Sequence, residues 1–225
     1  MTLRDDDAAP RPPPLPSPLH SPLHSPLHPP LRDPARMLAD VRSQWHGQGL
    51  QADLWVFGYA SLIWRPEFDA CEHRSAVVRG WHRAFKMRSR VNRGSPETPG
   101  LVYALVSGGM CRGMVFRIAK EQAAQELDKL WHREMPNGVY DPRWLRCATP
   151  SGEVLALGFT LSRRSPNFTG RIDDHEMIDI LRQARGRYGS TLDYLVRTAE
   201  TLREHRMCDR ESERLLALAR RQGLL

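Results

Sequence analysis

Two hydrophobic periods divide this chain of 225 residues. From Leu54 to Ser162 apolar residues come in short runs and alternations. From Asp173 onward they recur every three to four residues. The first region yields six strand candidates, Leu54–Phe57, Ala76–Met87, Leu101–Val106, Arg112–Ile118, Trp144–Thr149 and Val154–Ser162. Turn signals separate them, including Gly94-Ser95-Pro96, Ser107-Gly108-Gly109 and Pro150-Ser151-Gly152. One helix is expected inside this region, from Ala119 to Met135, where Pro136 stops it. Three follow it. The first starts at Asp173, with Glu176 three residues on, and turns Met177, Ile180, Leu181 and Ala184 inward. The second starts near Ser190 with Leu192, Leu195, Val196, Ala199 and Leu202 as its stripe. The last starts near Asp209 with Leu215, Leu216, Leu218 and Ala219. Strands early and helices late predict an α+β domain. Short turns between the strands predict a mixed or antiparallel sheet that curls into a small barrel with flanking helices.

The N-terminal part obeys neither period. Ala8 to Pro34 holds most of the 18 prolines, and Ser-Pro-Leu-His recurs at Ser17, Ser21 and Ser25. His20, His24 and His28 have a helix-like spacing. Pro18, Pro22 and Pro26 forbid the helix and favour polyproline II. Residues 1–36 therefore read as a disordered Pro/His-rich tail and 37–225 as one folded domain. A short lead-in helix is expected from Met37 to Leu50, ended by Gly47 and Gly49.

Charge and cysteine usage narrow the function classes. The net charge is +7, almost all of it arginine; the lysines are Lys86, Lys120 and Lys129. The arginines are spread out, with no block or aromatic-interleaved stripe, so no nucleic-acid partner is expected. No apolar run approaches the ~18 residues of a membrane span, and the acidic start Asp5-Asp6-Asp7 does not suit a signal peptide. A cytoplasmic protein with no membrane partner is expected. Cys71, Cys111, Cys147 and Cys208 are widely spaced, which predicts free, mostly buried thiols and no zinc ribbon. His73, His82 and His132 lack ligand spacing, so no metal site is expected. The sequence does not decide the oligomeric state.

Two segments carry chemistry. The apolar run Leu54-Trp55-Val56-Phe57 meets Gly58-Tyr59-Ala60-Ser61 and turns apolar again at Leu62. A buried strand ending in small residues exposes backbone N–H groups, which hold an anion or oxyanion well. A tight turn without a ligand fits the same residues. Ser61 is not in a Gly-x-Ser-x-Gly context, so its N–H and hydroxyl read as binding groups. On the helix ending at Met135, Glu134 shares a face with Leu127, Leu130 and Trp131. Glu121, Glu126 and Asp128 fall elsewhere, with Lys129, His132 and Arg133. A carboxylate on an apolar stripe either pairs with an arginine, Arg133 or one from the sheet, or is a desolvated acid/base with a raised pKa.

Several motifs now coincide in order. They are Phe-Gly-Tyr-Ala-Ser-Leu-Ile-Trp-Arg-Pro at 57–66, Arg-Gly-Trp-His-Arg-Ala-Phe at 79–85 and Asn-Arg-Gly-Ser-Pro-Glu-Thr-Pro-Gly at 92–100. Trp-His-Arg-Glu-Met at 131–135, Ser-Pro-Asn-Phe-Thr-Gly at 165–170 and Ala-Arg-Gly-Arg-Tyr-Gly-Ser-Thr-Leu-Asp-Tyr-Leu at 184–195 follow. Over about residues 54–220 the chain resembles the ChaC family of glutathione-specific γ-glutamylcyclotransferases. The resemblance implies a γ-glutamylcyclotransferase-like barrel and cleavage of glutathione to 5-oxoproline and cysteinylglycine without a cofactor. It implies Glu134 as the catalytic acid/base. It implies γ-glutamyl binding at Tyr59, Ala60, Ser61 and Leu62, and Val56, Phe57 and Gly58 before them are counted with the binding segment. Arg93 is a candidate partner for a substrate carboxylate, or else a surface arginine in a turn. Ring closure on other γ-glutamyl amines, and a γ-glutamyl-binding module without turnover, are the alternatives. Two departures bear on that choice. The family's Gly-Tyr-Gly-Ser reads Gly-Tyr-Ala-Ser, so a left-handed backbone at Ala60 would be strained. The family's Pro-Asn-Tyr reads Pro-Asn-Phe, so Phe168 lacks a hydroxyl.

Overall fold

A computed structural model describes residues 33–47 and 53–225. The Ser-Pro-Leu-His repeats and most of the expected tail lie outside the described residues. Helix α1 runs Pro34–Gly47. Pro34, grouped with the tail by its composition, opens this helix: at the first helical position the missing N–H costs nothing. Asp33 precedes it, its carboxylate accepting from the Ala35 N–H at 2.9 Å.

Five strands then close a barrel in the order β1-β3-β2-β4-β5. They are β1 (Leu54–Gly58), β2 (Glu72–Ser89), β3 (Gly100–Ile118), β4 (Asp141–Thr149) and β5 (Gly152–Thr160). β1 pairs antiparallel with β3 and parallel with β5, through Val56 and Leu157, which shuts the ring. The expected turn at Ser107-Gly108-Gly109 is not a turn. β3 passes straight through it as one strand of 19 residues. Gly108 and Gly109 take φ of +99° and +74°. The register places them against Gly80 alone, since Arg79 pairs Met110 and Trp81 pairs Ser107. The glycines therefore make a bulge that bends a long strand around the barrel, a use that sequence signals do not separate from a turn.

The helices cover the barrel on two sides. α2 (Ser61–Trp64) follows β1, and α3 (Lys120–Glu134) follows β3. α4 (Asp174–Gln183), α5 (Thr191–Glu204) and α6 (Arg210–Arg221) come last, with a short ribbon of β6 (Arg185–Gly186) and β7 (Gly189–Ser190) between α4 and α5. The caps match their sequence signals. Asp173 accepts from Glu176 N, Ser190 and Asp193 form a reciprocal capping box, and Asp209 accepts from Ser212 N. β1 is buried on both faces. Phe57 joins Phe85, Tyr103, Leu195 and Leu215 in one core, while Val56 joins Leu127, Leu130 and Trp131 in the other. Alternation along β1 sends neighbours to opposite sides, which accounts for its unbroken apolar run. No described helix is long and apolar enough to cross a membrane.

Candidate active site

β1 delivers the chain to the rim of the barrel and α2 turns it away. Tyr59, Ala60, Ser61 and Leu62 line a cavity of about 400 Å³ there. In a helix as short as α2 the first N–H groups, those of Ser61 and Leu62, have no acceptor one turn back. Ala60 has φ −148°, outside the left-handed region, so its methyl meets no left-handed penalty. The Tyr59 ring turns inward; its hydroxyl donates to the Phe159 carbonyl at 3.0 Å and shares a hydrogen bond with Tyr140.

α3 brings the acid. Its face of Ala123, Leu127, Leu130 and Trp131 packs onto the barrel, and Glu134 is its last residue. The Glu134 side chain is 14% exposed, lines the same cavity, and receives Arg133 Nε at 3.0 Å. This glutamate is therefore both desolvated and paired with an arginine. Burial raises its pKa above the ordinary 4.5, Arg133 opposes the shift, and Glu67 adds to it. Burial wins because Arg133 is shared. Its guanidinium also donates to the carbonyls of Arg65 and Pro66, approaches Ser61 Oγ at 3.4 Å and pairs with Glu67 at 3.1 Å. Arg133 thus ties Glu134 to the segment after β1. Glu126, expected on the outer face, is buried instead; Lys129 at 2.7 Å and the Asp69 N–H at 3.3 Å satisfy it.

The opposite wall comes from the end of β2, the loop after it and α5. Arg93 is 8% exposed. Its Nη1 donates to the Tyr188 carbonyl at 2.6 Å, and its guanidinium lies 5.1 Å from the Tyr194 ring centre. It makes no ion pair among the described residues, and burial lowers its pKa. The loop is held by close backbone approach. A Cβ on Gly186 would come within 2.6 Å of Arg93 N, so only glycine fits there. The motifs at 92–100 and 184–195 are thereby parts of one wall. Tyr140 and Tyr194 also line the cavity, and burial keeps both hydroxyls protonated, Tyr194 pushed up to about 12. Neither was singled out from sequence. Tyr194 lies at helical spacing between Thr191 and Thr198, so a period count that admitted polar residues finds it. Tyr140 sits just before β4 with no periodic signal.

Three expected site residues lie elsewhere. Val56 and Phe57 are fully buried in the two cores, and Gly58 packs under Phe116 and Leu62. None of them lines the cavity. The reason is the strand itself: the residues that carry the chain to the rim have both faces covered, and only those past its end are open. Phe168 is also outside the lining; its neighbour Asn167 is in it, and the Phe168 ring lies under Arg163. Cys111 and Cys147 are buried free thiols, but Cys71 and Cys208 are exposed.

The lining residues include five arginines (65, 88, 90, 93 and 133) against Glu67 and Glu134. Such a cavity suits a small molecule with more than one carboxylate, with a proton-transfer group on one wall and N–H donors beside it. A solved γ-glutamyl cyclotransferase specific to glutathione from yeast superposes with a TM-score of 0.67 at 20% identity, covering 76% of this chain and 96% of that one. The chain belongs to the family of ChaC-like proteins, whose model matches residues 54–222. The Escherichia coli glutathione-specific γ-glutamylcyclotransferase is 34% identical over 146 residues, 64% of this chain and 63% of its own length. The mouse glutathione-specific γ-glutamylcyclotransferase 1 is 31% identical over 159 residues, 68% of this chain and 71% of its own length. The chain thus spans less than two thirds of the E. coli relative.

Proposed function

We propose that this protein is a γ-glutamylcyclotransferase that degrades glutathione in the cytoplasm, through the domain at 37–225. The γ-glutamyl α-nitrogen attacks the γ-carbonyl carbon, the new C–N bond closes a five-membered lactam, and the amide bond to cysteine breaks. The products are 5-oxoproline and cysteinylglycine. The bonds broken and formed lie within the substrate, so the reaction calls for no enzyme nucleophile and no redox partner.

Glu134 takes a proton from the ammonium, which frees the attacking lone pair, and returns one to the leaving cysteinyl nitrogen. A carboxylate with a raised pKa is the stronger base for the first step and the better matched acid for the second. The N–H groups along Tyr59–Leu62 receive the γ-carbonyl oxygen as it gains charge. Arg93, buried with no ion pair among the described residues, receives a substrate carboxylate; an unpaired buried cation is otherwise costly. Holding the glutamyl chain folded supplies the rest, since intramolecular geometry of this kind contributes ~7–11 kcal/mol.

One observation carries this reading: a desolvated carboxyl and the segment that follows β1 line one cavity, joined through Arg133. The test is release of 5-oxoproline by the purified protein from glutathione and, in parallel, from γ-glutamyl dipeptides. Product from glutathione is expected. Product from the dipeptides alone would move the substrate assignment, and tight glutathione binding without product would leave a binding module.

A further inference from the structure

Arg83, in the motif at 79–85, lies outside the cavity lining, yet three of its N–H groups are committed. It is 7% exposed. Its Nε donates to the Tyr59 carbonyl at 2.5 Å, its Nη2 to the Arg112 carbonyl at 2.5 Å, and its Nη1 to Asp209 Oδ2 at 2.8 Å. Asp209 is itself fixed. Its other oxygen accepts from Ser212 N at 2.9 Å and Ser212 Oγ at 2.7 Å, at the start of α6. Ser212 Oγ in turn meets the Tyr103 hydroxyl at 2.5 Å. The chain of contacts therefore runs from α6, through a buried ion pair, to one backbone carbonyl at the cavity rim.

That carbonyl belongs to the peptide whose N–H is Ala60's. No described peptide bond is cis. In a trans peptide the C=O and the following N–H point in opposite directions across one rigid plane. A guanidinium that grips the Tyr59 oxygen from outside the cavity lining thus turns the Ala60 N–H the other way, and Ala60 lines the cavity. A lone hydrogen bond would allow the plane to rock. A planar fork whose other two bonds are anchored does not.

We propose that Arg83 is a positioning residue: held by Asp209, it fixes the Tyr59–Ala60 peptide so that the Ala60 N–H faces the substrate's γ-carbonyl oxygen. This rests on the cyclotransferase reading above. Arg83 never touches substrate, and its effect falls on the donor that meets the developing oxyanion. Loss of such a donor lowers kcat by about a hundred- to a thousandfold and leaves ground-state binding nearly alone.

The experiment compares the wild type with Arg83→Gln and Arg83→Lys. Arg83→Lys keeps the charge beside Asp209 but loses the fork, so it serves where Arg83→Gln does not fold. Thermal unfolding selects the folded variants. The expected result is a kcat for 5-oxoproline release reduced at least tenfold in Arg83→Lys and further in Arg83→Gln. KM for glutathione stays within about threefold, and the acid limb of the pH–rate profile does not move. A second readout does not depend on turnover. The Ala60 amide resonance of labelled protein shifts on adding glutathione to the wild type, and the shift is lost in Arg83→Lys. A folded variant with wild-type kcat, or one whose KM alone changes, overturns the role of Arg83. A wild type whose Ala60 amide responds to glutathione but which releases no product keeps that role and removes the cyclotransferase reading instead.

Discussion

Two arginine–acid pairs hold the segment that follows β1, and they leave their acids in opposite states. Arg133 and Glu134 meet at 3.0 Å at the cavity; Arg83 and Asp209 meet at 2.8 Å at the start of α6. Both carboxyls are 14% exposed. Burial is the largest influence on each, and it raises both. Asp209 nevertheless ends below its ordinary 3.8, because Arg83 and two Ser212 donors stabilise its charge. Glu134 ends above 4.5, because its one arginine is divided among four other acceptors and Glu67 stands nearby. The number of donors committed to the anion decides the outcome, not the presence of an arginine. In one pair the carboxyl favours its ionised form; in the other it is held nearer to protonation, as the proposed acid/base role requires.

The comparison breaks most sharply at its first member. Glu134→Gln removes the proton carrier and keeps the shape. The expected loss is about a hundred- to ten-thousandfold in 5-oxoproline release with an unchanged circular dichroism spectrum. At the second member, Asp209→Ala strands the buried Arg83 charge. It should cost about 3–5 kcal/mol in urea unfolding at neutral pH, as breaking a buried pair does. The sign with pH follows from the lowered pKa. The stabilisation is complete above 3.8 and fades as pH falls through the lower folded-state value, so parent and variant converge only in strong acid.

A subtler change tests the divided arginine. Arg133→Gln removes the cation that favours ionised Glu134. Glu134 must be ionised to accept the substrate's proton, so the acid limb of the pH–rate profile should move to higher pH, by about 1–3 units. A limb that stays put would mean Arg133 does not act on that carboxyl. The smallest effect belongs to Ala60→Gly. With φ at −148°, outside the left-handed region, the loop does not need a glycine for handedness, so turnover should stay within about threefold.

Where residues repeat along an element, sequence and structure agree. The caps at Asp173, Ser190 and Asp209 and the apolar stripes of α3, α4 and α6 are local patterns, and each forms as its chemistry requires. Glu134 was found the same way, as an acid on an apolar face. What sequence could not give depends on who lies opposite. Gly108 and Gly109 look like a turn until β2 supplies a single residue facing them. Val56 and Phe57 look like a binding segment until both faces of β1 are seen to be covered. Glu126 looks exposed until Asp69 arrives from a loop 57 residues away to bind it. Tyr140 and Arg83 matter through partners distant in the chain, and no spacing announces them.

Titrating both carboxyls in one sample of carbon-labelled, substrate-free protein by nuclear magnetic resonance tests the contrast directly. Glu134 should titrate above 4.5 and Asp209 below 3.8. A Glu134 that titrates at or below 4.5 would mean that Arg133 holds it as a permanent anion, and the proton-trading role assigned to it would be wrong.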